Sequence, residues 1–80
     1  MTETDILIVE DDKDIATVLG DFLRAKGYVV SIASDGKKAL ALYERYGARL
    51  LILDLMLPGV EGLEVLNHIR KESNTPVLIA

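Results

Sequence analysis

The sequence predicts an α/β fold built on a doubly wound parallel sheet, in the order βαβαβαβ and ending at the fourth strand. Short apolar runs alternate with stretches of helical periodicity from residue 6 to residue 80, with no repeat, low-complexity tract or linker between them. Two of the runs, Ile6-Leu7-Ile8-Val9 and Leu50-Leu51-Ile52-Leu53, are continuous rather than alternating. That is the pattern of strands covered on both faces. Strands separated by helices imply βαβ units with right-handed crossovers.

Each element has its own warrant. After the first run, Ile15, Val18, Leu19, Phe22 and Leu23 fall at i, i+3, i+4, i+7 and i+8, one apolar stripe of an amphipathic helix. Asp12 or Asp14 can cap this helix and Gly27 can close it. Residues 28–33 read as the second strand, and Ser34-Asp35-Gly36 is a turn that opens the next helix. Ala39, Leu42, Tyr43 and Tyr46 repeat the helical spacing, with Gly47 at its end. The third strand is Leu50 to Leu53. Beyond a loop over residues 55–60 that holds Pro58 and Gly59, the third helix turns Leu63, Leu66, Ile69 and Arg70, with Val65, toward the sheet. Ser73-Asn74-Thr75-Pro76 breaks it, and Val77-Leu78-Ile79-Ala80 is the fourth strand.

Eighty residues, half of them apolar, form one small globular domain, residues 1–80, with a thin stability margin. A net charge of −4 makes this segment a poor binder of nucleic-acid phosphates. Cysteine is absent, so disulfides and thiolate metal sites are excluded. The N-terminus carries acids where a secretory leader carries bases, and no stretch approaches the roughly 20 apolar residues of a membrane span. A soluble, cytoplasmic protein is expected.

The chemistry lies where the apolar runs stop. Glu10-Asp11-Asp12 closes the first and Asp54 closes the third. If these strands are parallel neighbours, their carboxyl ends lie about 4.8 Å apart, in the crevice where open parallel sheets hold ligands. Clustered carboxylates repel one another by about 3 to 4 kcal/mol per pair at an effective dielectric of about 20 and roughly 4 to 5 Å. A cation must neutralise them, and Mg²⁺ suits a set of oxygen ligands that leaves room for water and phosphate. A carboxylate is also a competent nucleophile toward an activated phosphoryl group and yields an acyl phosphate.

Ile6-Leu7-Ile8-Val9-Glu10-Asp11-Asp12, then Leu51-Ile52-Leu53-Asp54-Leu55-Met56-Leu57-Pro58-Gly59, then Gly62-Leu63-Glu64-Val65-Leu66 resemble the receiver domain of two-component response regulators. The likeness is closest to receivers of DNA-binding transcriptional regulators and covers the whole chain. It implies a flavodoxin-like fold and a switch that takes a phosphoryl group from a sensor histidine kinase. Receivers also lose that group slowly by their own action, yet they serve mainly as switches rather than enzymes. On this resemblance Asp54 is the phospho-acceptor, Asp11 and Asp54 bind Mg²⁺ with the main-chain carbonyl of Met56, and Glu10 completes the pocket through water. Gly59 and Gly62 fit the loop and the start of the third helix, and Leu53 and Pro58 are scaffold. DNA would be reached only through an output domain that these residues do not include.

The resemblance also implies parts that this sequence does not supply. A receiver carries a hydroxyl residue after its fourth strand, an aromatic on a fifth and a lysine after that, so the chain reads as the first two thirds of a receiver. Impaired phosphoryl transfer is expected, together with a homo-oligomer formed through the exposed fourth strand.

Plainer readings stand beside these. Asp54 could cap a turn, and Asp12 and Asp14 read as helix-start residues favoured by the dipole. His68 reads as a solvated surface histidine, Tyr43 and Tyr46 as core and rim, Lys37-Lys38 as a solvated helix start, and Arg49 as a surface variation. A haloacid dehalogenase phosphatase would need a second acid two residues after Asp54, where Met56 stands. A nucleotide binder would need a glycine-rich loop in place of Glu10-Asp11-Asp12-Lys13. The remaining rival is an engineered or proteolytic half-fold whose property is self-assembly.

Overall fold

A computed structural model describes residues 2–54, 57 and 61–79. The elements follow in the order β1 (Ile6–Val9), α1 (Lys13–Ala25), β2 (Val30–Ala33), α2 (Gly36–Tyr46), β3 (Leu50–Leu53), α3 (Glu61–Glu72) and β4 (Val77–Ile79). The four strands form one parallel sheet in the order β2-β1-β3-β4. The expected α/β fold with a doubly wound sheet is therefore present, and strand order 2-1-3-4 is that of the flavodoxin-like class.

Period-two alternation divides the strand residues between two faces. On one, Leu7, Val9, Ala33, Leu51 and Leu53 pack with Ala39 of α2 and Val65 and Ile69 of α3. On the other, Ile6, Ile8 and Val30 pack with Leu19 and Leu23 of α1. The two central strands are sealed between these layers, which accounts for their unbroken apolar runs.

Capping follows the sequence closely. Asp12 is the N-cap of α1, its Oδ1 accepting from the backbone N–H of Asp14 at 2.9 Å and of Ile15 at 3.2 Å. Asp35 caps α2 in the same way, accepting from Lys38 N–H at 2.8 Å. After α1 the chain turns through Gly27 at φ 97°, a conformation that a Cβ would strain. At Gly20 a Cβ would come within 3.0 Å of Ile32 Cδ1, so the glycine lets α1 lie close on β2.

The structure corrects several expectations. The strand read over residues 28–33 begins at Val30, because Asp5 Oδ2 takes the Val29 N–H at 2.8 Å while Val29 O accepts from Asp5 and Ile6. Tyr28 and Val29 are left exposed. In α1, Leu19 and Leu23 face the sheet, whereas Ile15, Val18 and Phe22 are 53%, 70% and 58% exposed. The stripe is wider than one sheet contact, and among the described residues no second helix shares that face to cover the rest. In α3, Val65 and Ile69 are buried with Gly62, while Leu63 and Arg70 are exposed. The contact face is thus set by the 62, 65, 69 row and by packing against α2. His68 is only partly exposed and faces carboxylates of both helices. Of loop 55–60 only Leu57 is described, and it is buried; Ala80 lies outside the described residues. No helix among the described residues is long and apolar enough to cross a membrane.

Candidate functional site

Parallel pairing of β1 with β3 places Val9 opposite Leu53. The hydrogen-bond ladder runs one residue further on both sides. Asp54 donates its N–H to Val9 O at 3.1 Å, and Glu10 donates its N–H to Ala33 O at 3.0 Å. Glu10 and Asp54 are therefore fixed by backbone bonds at the carboxyl edge of the sheet, side by side. Glu10, Asp11 and Asp54 each bring a carboxylate oxygen to within 4.8 Å of the other two. Glu10 and Asp54 are half-buried, and Asp11 is exposed at the mouth.

Crowding has an electrostatic consequence. Burial, then a hydrogen bond with Asp54 and the charges of Asp54 and Asp11, push the Glu10 carboxyl up from 4.5 to about 7. A hydrogen bond between two carboxyls requires a proton on one of them, and the raised Glu10 carboxyl is the one that carries it. Glu10 Oε2 is shut off from solvent and has no hydrogen-bond partner among the described residues. A buried acceptor without a donor is costly, and a cation among these oxygens would satisfy it. The donors are all hard oxygens, so the residues present fit Mg²⁺.

Of the acids singled out in the sequence, Glu10, Asp11 and Asp54 meet. Asp12 does not join them, because its side chain is committed to the start of α1. Met56, Pro58 and Gly59 lie outside the described residues. Gly62 is buried in the first turn of α3. Two clusters escaped the sequence reading. The Tyr43 hydroxyl bonds Ser73 Oγ and Thr75 Oγ1, each at 2.7 Å, and so ties α2 to the α3–β4 connection. Glu44, His68 and Glu72 also converge. The i, i+4 spacing of His68 and Glu72 was the one cue to the second cluster.

Residues 6–80 match the family described as response regulator receiver domain. The chain belongs to that family. The transcriptional regulatory protein YrkP of Bacillus subtilis (strain 168) is 51% identical over 73 residues, spanning 91% of this chain and 31% of that protein. The sensory transduction protein RegX3 of Mycolicibacterium smegmatis is 43% identical over 76 residues, spanning 95% of this chain and 33% of its own length. This receiver chain thus spans about a third of the length of the curated relatives it matches. Among solved structures, the chemotaxis protein CheY4 of Vibrio cholerae superposes with a TM-score of 0.88 at 30% identity, covering 95% of this chain and 66% of that one. The response regulator TrrA of Thermotoga maritima, solved in complex with Mg²⁺-BeF, gives 0.80 at 36% identity over 95% of this chain and 65% of its own. Receiver domains are generally Mg²⁺-dependent and interact with histidine kinases, and these relatives include transcription regulators. Family membership does not favour the rival reading of a half-fold kept only for self-assembly.

Proposed function

We propose that residues 1–80 act as the phospho-accepting part of a receiver, with Asp54 taking a phosphoryl group from a sensor histidine kinase. The observation that carries this is the convergence of Glu10, Asp11 and Asp54 within 4.8 Å at the carboxyl edge of the sheet. Asp11, Asp54 and the main-chain carbonyl of Met56 would hold Mg²⁺, with Glu10 reaching it through water. When bound, the ion neutralises the acids and the phosphoryl oxygens they would otherwise repel.

Asp54 supplies the nucleophile. A carboxylate oxygen of Asp54 attacks phosphorus as the bond from phosphorus to the donor's imidazole nitrogen breaks, and the donor leaves as histidine. Backbone bonds from Asp54 N–H to Val9 O and from Leu57 N–H to Asp54 O hold the residue in place during the step. The last lysine of the sequence is Lys71, on α3. The lysine that a receiver places after its fifth strand is therefore not supplied by these residues, and transfer by the 80-residue chain is slow and incomplete. The setting is cytoplasmic, DNA is contacted only through an output domain beyond these residues, and copies of the chain associate through β4.

Incubation with a small acyl phosphate and Mg²⁺, followed by intact-mass measurement, tests this reading. A slowly formed, partial phosphoryl adduct that is absent from Asp54→Asn is expected. An adduct that persists in Asp54→Asn would refute the acceptor assignment, and rapid, near-complete labelling would refute the impairment.

A further inference from the structure

We propose a second cation site, of the zinc class, between α2 and α3, formed by Glu44, His68 and Glu72. His68 Nε2 lies 3.4 Å from Glu44 Oε1 and 3.7 Å from Glu72 Oε2. All three donor atoms fall within 4.8 Å of one another. A tetrahedral zinc site with bonds of about 2.1 Å has donor-to-donor edges of about 3.4 Å, so two of the three edges already approach the required length. Side-chain rotation of the exposed glutamates closes the third.

The plain alternative is an imidazolium paired with surface acids. A histidine serving that purpose would direct an N–H along a hydrogen bond to one carboxylate. Instead Nε2 is shut off from water and makes no hydrogen bond to either oxygen or to any other described residue. Two carboxylates and a shielded nitrogen are therefore gathered in one place, and among the described residues neither glutamate is in an ion pair with a lysine or arginine. Imidazole with carboxylates suits zinc and its neighbours in the first transition row, whereas the all-oxygen set at Asp54 suits Mg²⁺. His68 and Glu72 sit one turn apart on α3, so both reach the same point, and Glu44 meets them from α2.

This site is independent of the acid pocket. Helices in βαβ units run antiparallel to the strands, so the C-terminal turns of α2 and α3 lie at the end of the sheet opposite Asp54. A bound ion would staple α2 to α3, leaving a fourth position for water.

Titrating the tag-free chain with Co²⁺ in excess Mg²⁺, and following the visible absorption of four-coordinate cobalt, tests the proposal. One equivalent per chain is expected, displaced by Zn²⁺. Affinity should fall by more than about tenfold, the size of even an outer-shell loss, in His68→Ala and in Glu44→Gln, each checked for folding by circular dichroism. It should be unchanged in Asp54→Asn. Absence of a four-coordinate spectrum, its survival in both His68→Ala and Glu44→Gln, or its loss in Asp54→Asn would overturn the site.

Discussion

Glu10 shows how one residue's environment reports on the function of its neighbours. Its carboxyl, raised from 4.5 to about 7, binds a proton more tightly in the folded chain than in the unfolded one. Without a divalent cation, the stabilisation from that proton is fully present below pH 4.5 and is lost as the pH rises through about 7. The urea midpoint of the wild type, compared with Glu10→Gln in chelator, should therefore fall between those two pH values, and added Mg²⁺ should narrow the difference. A difference that does not change with pH would contradict this electrostatic account. Glu10, Asp11 and Asp54 were legible in the sequence because each follows a strand-length apolar run, and parallel pairing leaves such ends side by side. The meeting of His68 with Glu44 was not legible, because helical spacing on α3 cannot say which turn of α2 lies opposite.

Among the elements, β1 and β3 were readable to the residue, since burial on both faces demands an unbroken apolar run. The helices existed where their periodicity put them, yet their inward faces were only partly foreseen. The stripe of α1 splits between Leu19 and Leu23 on the sheet and Ile15, Val18 and Phe22 in solvent. Apolar spacing gives the width of a stripe, whereas neighbouring elements decide which part is covered. Caps are more local, and Asp12 was readable as one. Asp12→Ala should cost about 1 kcal/mol of stability, while Asp12→Asn should cost a few tenths or less, as measured by urea denaturation. A loss from Asp12→Asn as large as that from Asp12→Ala would show that the charge, rather than the two cap hydrogen bonds, matters there.

For the whole molecule, the arrangement that gathers the acids also leaves apolar surface open. Leu50 and Ile52 of the sheet, Leu19 and Leu23 of α1 and Leu78 of β4 line an open groove of about 540 Å³. Leu78 and Ile79 are 57% and 48% exposed on a strand that forms one edge of the sheet. Exposed apolar edges pair with other chains, so light scattering should show a mass that rises with concentration, and Leu78→Lys should lower it. A concentration-independent monomer would contradict association through β4. The sheet order β2-β1-β3-β4 is that of the flavodoxin-like fold which the receiver resemblance implies; periodicity alone gives only a parallel, doubly wound arrangement, because strand order depends on where each crossover lands. The central claim is that one parallel pairing brings Glu10, Asp11 and Asp54 around a single divalent cation. An Mg²⁺ titration followed by amide NMR measures this most directly: the shifts should concentrate at residues 10, 11 and 54, saturate as one site and vanish in Asp54→Asn. Shifts scattered over the acidic surface, or unchanged by Asp54→Asn, would contradict it.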